Sequence, residues 1–130
     1  RSALLAQDAA SFAASQRVGV QSLARDPAYH EKVVGWSLAS DRATFAGAVH
    51  KLMTTDLRSR LAEVKPPVTI IIAANRFAPS TLVEPLYRDA YRGLEQAEFR
   101  VIEESYHFVM FDQPERFREA LRAALASHKE

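Results

Sequence analysis

With 17 basic and 16 acidic side chains in 130 residues, a formal charge of +1 and no cysteine, the chain excludes several functions at once. Near-neutrality argues against nucleic acid or an acidic membrane as a partner through bulk charge. The missing thiols exclude disulfides, thiol catalysis and thiolate metal sites. An apolar fraction of 48% and a charged fraction of 25% are those of a globular protein of one ordinary domain.

Up to about Val64 the sequence predicts helix after helix. Ala3 to Gln16 is alanine-rich, with Leu4, Leu5, Ala9, Phe12 and Ala13 near helical spacing. The opening Arg1-Ser2-Ala3-Leu4-Leu5 is interrupted by Gln7 and Asp8 too early for a signal peptide. The first residue is Arg rather than Met, and the chain reads as trimmed from something longer. Gly19 and Asp26-Pro27 break the first pattern. Pro27 to Leu38 carries Tyr29, Val33, Val34, Trp36 and Leu38. Ser40 or Asp41 can cap the next helix, whose stripe is Phe45, Ala48, Val49, Leu52 and Met53. Asp56 can cap a short helix with Leu57, Leu61 and Val64.

The character changes at Lys65-Pro66-Pro67. Val68 to Ala74 is a continuous β-branched run, which predicts a strand covered on both faces, as in parallel sheets. It is too short to span a bilayer. After a loop over Asn75 to Pro79, a helix runs from about Thr81 or Pro85 to Arg92, with Leu86, Tyr87, Ala90, Tyr91 and Leu94 on one face. Gly93 is a natural stop. Phe99 to Ile102 is the second strand. The last helix, Pro114 to Ala126, opens with a capping-box spacing from Asp112 to Glu115. The second half is therefore β-α-β-α with a right-handed crossover. Two strands are too few to surround Ile70, Ile71 and Ile72, so further strands are expected from the removed part of the chain or from a second copy.

His107 sits in a short loop after the second strand, where open α/β sheets place working groups. The phrase Ser105-Tyr106-His107-Phe108-Val109-Met110-Phe111-Asp112-Gln113-Pro114-Glu115-Arg116-Phe117 resembles the histidine turn of α/β-hydrolases. The likeness extends from Pro66 to about Leu125 and includes Leu86-Tyr87-Arg88-Asp89-Ala90-Tyr91. Met53 to Leu61 is similar to the linker that leaves the cap in that family. The resemblance implies a partial α/β-hydrolase fold: a helical cap-like segment over residues 1–64, then the last two parallel strands with their helices over 65–130. It implies hydrolysis of a carboxylic ester or related acyl bond, with His107 as general base and no cofactor or metal. The bland alternative is a turn histidine that caps the next helix.

The nucleophile is missing. A catalytic serine on a strand-to-helix elbow reads Gly-x-Ser-x-Gly, and none of Gly19, Gly35, Gly47 and Gly93 frames a serine that way. Gly35-Trp36-Ser37 supplies half the pattern but has Ala39 in place of the second glycine, so a helical serine is the plainer reading. Ser22 and Ser105 lack the elbow context. Asn75 stands where the resemblance implies an acid. An amide can orient an imidazole but cannot stabilise an imidazolium by charge, and loss of that charge costs about 10⁴ in rate in the serine-protease case. A turn asparagine that tolerates unusual backbone angles is the competing account.

The other groups carry less. His30, His50 and His128 show no metal-ligand spacing. Glu103 and Glu104 are neighbours whose side chains point to opposite faces of a strand, as at a solvated strand end. Trp36, Phe45, Met53, Phe108 and Met110 could line an acyl pocket, with core packing as the default. The expectation is thus the C-terminal portion of a serine-type hydrolase, inactive by itself. It would be cytoplasmic in keeping with its missing cysteines, and would self-associate or pair with its missing N-terminal part. A non-catalytic binding or interaction module of the same type is the alternative, and an independent structural protein is a third.

Overall fold

A computed structural model describes residues 2–127 and shows a mixed α/β chain with a small parallel sheet. Residues up to Asp56 form one compact unit and those from Leu57 onward a second. Among the described residues no helix is long and apolar enough to cross a membrane.

The first unit holds α1 (Ser2–Ala6), α2 (Ala9–Gly19), α3 (His30–Ala39) and α4 (Arg42–Thr54). The single helix expected over Ala3–Gln16 is split, because Asp8 caps α2 by accepting the Ser11 N–H at 2.7 Å. Asp41, rather than Ser40, caps α4 through the Thr44 N–H at 2.8 Å. Hydrogen bonds from these backbone amides hold both carboxyls below their ordinary value. Stability from the two caps is therefore present above the unfolded-state pKa and lost as pH falls through the lower folded value.

Phe12 and Phe45 meet edge to face at 5.9 Å. The Arg42 guanidinium lies 4.8 Å from the Phe12 ring and donates to the Gln7 carbonyl. Arg17 and Glu31 pair between α2 and α3 at 3.1 Å. The stripe expected on α4 is not its buried face: Leu52 and Met53 are 76% and 79% exposed, and Ala46 is the fully buried residue. A small side chain there suits a close approach of helices, which the hydrophobic spacing alone does not reveal.

The second unit opens with a 3-10 turn, Arg58–Glu63, whose N-cap position is Leu57 rather than Asp56. It continues with β1 (Val68–Ala73), α5 (Ser80–Ala90), β2 (Ala97–Ile102), α6 (Val109–Asp112) and α7 (Pro114–Ser127). β1 and β2 pair in parallel with Val68 opposite Ala97 and Ala73 opposite Ile102. Ile102, Val109 and Ala120 form a buried cluster, joined by Ile71, Ala73 and Phe117, so α6 and α7 cover one face of the sheet. On α5, the Arg88 guanidinium lies 4.6 Å from the Phe99 ring of β2.

α5 starts at Ser80, ahead of Pro85, because the Pro79 carbonyl accepts the Leu82 and Val83 N–H groups. Pro85 lies inside the helix and cannot donate toward the Thr81 carbonyl. Gly93 does not act as a left-handed helix cap, since no glycine has positive φ. A Cβ at Gly93 would come within 3.0 Å of the Leu61 side chain, so the residue serves a close approach instead.

Among the described residues the sheet has two strands. Ala74 N–H donates to Ile102 across the ladder. Backbone groups alternate along a strand, so those of Ile71 and Ala73 point away from β2. No charged residue occurs between Pro66 and Asn75, whereas β2 carries Glu98 and Arg100, residues that blunt an edge. The chain is expected to self-associate through the edge of β1 that faces away from β2, as a concentration-dependent dimer in sedimentation. Ile71→Pro removes an outward N–H without touching the β1–β2 ladder and should return a monomer. A wild-type monomer at high concentration would refute this expectation.

Candidate functional site

The C-terminal ends of β1 and β2 bring the loop after β1 against the loop that carries His107. The last rung is irregular. Ala74 N–H donates to the Ile102 carbonyl at 2.9 Å, and the Ala74 carbonyl accepts from Ser105 N–H at 3.0 Å. A regular parallel ladder would take that return bond from Glu104. The extra residue makes a bulge, and Glu104 adopts φ 59°, the left-handed conformation. Nothing in a glutamate announces this, because glycine or asparagine is the usual occupant.

Four side chains then fix four successive backbone residues. Arg116 Nη1 donates to the Glu103 carbonyl at 3.4 Å, and Gln113 Nε2 to the Glu104 carbonyl at 3.1 Å. Asn75 Nδ2 donates to the Ser105 carbonyl at 3.1 Å. The Tyr106 N–H donates to Asp112 Oδ2 at 2.6 Å, a charge-assisted bond. The capping box expected from Asp112 to Glu115 does not form: the helix starts one residue later, and Asp112 accepts from Tyr106 instead. Pro114 begins α7, and the Gln113 carbonyl accepts from Phe117 N–H at 2.9 Å, so Gln113 is at the cap position. Its spacing to Glu115 hid the part Asp112 plays in holding Tyr106.

His107 follows directly and is exposed. Its ring meets Phe108 edge-on at 5.2 Å, and Phe108 lies 5.5 Å from Phe111. Among the described residues no hydrogen bond engages the imidazole. The ring nitrogens can therefore accept or donate toward an incoming group.

The Asn75 side chain is engaged by main chain on three sides. Its Oδ1 accepts the Phe77 and Ala78 N–H groups at 2.9 and 3.1 Å, while Nδ2 reaches Ser105. Only an oxygen can accept the first two and only a nitrogen can donate the third, which fixes the amide orientation. Asn75 thus closes a turn, but not through unusual backbone angles, since among the described residues other than glycine the positive φ belongs to Glu104. Arg76 stacks its guanidinium 4.4 Å from the Phe77 ring on the same turn.

The three serines considered from the sequence are placed as follows. Ser105 is 0% exposed, with its hydroxyl on the Tyr106 carbonyl at 3.0 Å. Ser37 lies within α3 and Ser22 bonds the Gly19 carbonyl. His30 is tied to the Ala24 carbonyl at 2.8 Å. His50 is exposed on α4, and His128 lies outside the described residues. Glu103 and Glu104 lie beyond the strand, in the bulge. Trp36 and Met110 are 50% and 42% exposed, so core packing does not describe them.

Two cavities stand apart from these groups. One of about 390 Å³ lies between Val64–Val68 and Gly93–Ala97, at the N-terminal ends of both strands and thus opposite His107. One of about 260 Å³ is lined in the first unit by Val20, Leu23, Val33 and Val34 with Gln16 and Ser37. Comparison with protein-family models, curated proteins and solved structures finds no match.

The bulge generates a test of backbone strain. Glu104→Val puts a β-branched residue at positive φ and is expected to cost about 1–2 kcal/mol. Glu104→Gly relieves the same constraint and should be much closer to neutral. Denaturant unfolding of both variants checks the difference, and equal stabilities would contradict it.

Proposed function

We propose that this chain is the base-bearing, C-terminal portion of a serine-type α/β-hydrolase acting on a carboxylic ester or related acyl bond. The observation that carries the reading is His107: an exposed imidazole in a short loop at the C-terminal end of a parallel strand, with the loop before it fixed by four side chains. A base needs that combination of fixed backbone and accessible ring. The resemblance of residues 105–117 to the histidine turn supplies the reaction class.

In this reading His107 takes the proton of a serine as it attacks the acyl carbon, then gives that proton to the departing alkoxide. The serine and the oxyanion donor beside it come from a strand-to-helix elbow that this sequence does not contain. The orienting acid comes from elsewhere than residue 75. A small-molecule ester or acyl compound is the substrate class, and no cofactor enters the reaction.

A second reading, a non-catalytic binding module of the same architecture, is favoured by the occupied Asn75 amide. The two differ in whether His107 does chemistry. The chain by itself should give no stoichiometric serine adduct with a fluorophosphonate probe, read by intact mass. A stable adduct on any of its serines would overturn the division of the site. In a polypeptide that also carries the Gly-x-Ser-x-Gly elbow, His107→Ala should abolish turnover and leave the unfolding midpoint almost unchanged, because the residue is an exposed loop position. Wild-type turnover in that variant would make His107 an ordinary turn histidine, whereas a wild-type polypeptide with no turnover at all would select the binding module.

A further inference from the structure

We infer that Asn75 is a positioning residue for the His107 loop, and that position 75 requires an acceptor and a donor on one side chain. As a role in positioning a base, this rests on the reading of His107 given above. The tie between the two loops does not depend on it.

The argument starts from the bonds. Oδ1 closes the turn after β1 by accepting from Phe77 and Ala78, and the Asn75 and Ala78 backbones bond reciprocally at 3.0 and 3.1 Å. Nδ2 leaves that turn and donates to Ser105, thirty residues onward, at 3.1 Å. Ser105 N–H is taken by the neighbouring Ala74 carbonyl. Both backbone groups of Ser105 are thus held by consecutive residues of the β1 exit. Ser105 is 0% exposed, so neither group has ready access to water if its partner is withdrawn. Tyr106 is held next by Asp112, and His107 is the first residue beyond the tie.

An aspartate at 75 would keep the acceptor and lose the donor. Its second oxygen would face the Ser105 carbonyl oxygen, acceptor against acceptor. The amide is therefore not a weakened acid: a charged carboxylate in its place opposes the Ser105 carbonyl and releases the loop. A protonated carboxyl could donate that bond again, which makes Asn75→Asp a variant that acid can rescue. Charged and titratable groups on the packed segments are Arg76, Glu103, Glu104, His107, Asp112 and Arg116, so each variant is compared with wild type at the same pH.

The test is native-state amide exchange by NMR on the whole chain, in wild type, Asn75→Asp and Asn75→Ser. Serine keeps a turn acceptor for Phe77 and Ala78 but cannot reach Ser105, and it also serves if the aspartate variant fails to fold. At neutral pH both variants are expected to lose about tenfold in protection at Ser105 and Tyr106, the scale of one lost hydrogen bond. Below the range where the new carboxyl ionises, Asn75→Asp should recover toward wild type and Asn75→Ser should not. Wild-type protection at Ser105 and Tyr106 in either variant at neutral pH would overturn the inference, as would failure of acid to separate the two. His107→Ala turnover tests the base independently: normal turnover there with the exchange pattern intact removes the base and leaves the tie.

Discussion

The course of the chain beyond β2 depends on one displaced rung. The Ala74 carbonyl takes its return bond from Ser105 instead of Glu104, so one residue is left over and the backbone must turn through positive φ at Glu104. That turn ends the strand and leads directly into the segment that α6 and α7 hold from the other side through Asp112, Gln113 and Arg116. His107, the next residue, is exposed. A left-handed glutamate costs about 1–3 kcal/mol, and such strain persists only where the surroundings over-determine it. Here the surroundings are those side-chain bonds together with the ladder.

The parts that were legible in the sequence are the parts governed by composition over several residues. The run Val68 to Ala74 announced a strand covered on both faces; the strand observed is Val68–Ala73, with Ile72 fully buried within it. The strand–helix–strand–helix order and the position of His107 in a loop after β2 followed from the same kind of pattern. What was not legible depends on single backbone groups. The bulge at Glu104, the grip of Asp112 on Tyr106 and the reach of Asn75 to Ser105 join residues up to thirty apart. Side-chain type does not encode those pairings. Likewise, the proline inside α5 ran against its usual placement because Pro79 offers a carbonyl to start the helix earlier.

The larger cavity and the histidine lie at opposite ends of the sheet. For a parallel sheet, chemistry belongs at the C-terminal ends, where loops converge. The cavity at the N-terminal ends is lined in part by Lys65, whose ammonium donates to the Ala62 carbonyl at 3.0 Å. The histidine end instead concentrates fixed backbone and an accessible ring.

The two helical layers of the second unit differ in anchorage. α7 contributes Ala120 and Phe117 to the cluster around Ile102 and Val109, whereas α5 has no buried residue and exposes Leu82 and Leu86. Pro85 further removes a hydrogen bond from its middle. Local opening is easiest where few apolar contacts must be broken. Opening at α5 would break the packing of no buried side chain of the helix itself. It would uncover Phe99 on one face of the sheet while the opposite face, and the loop rooted in it, stays assembled.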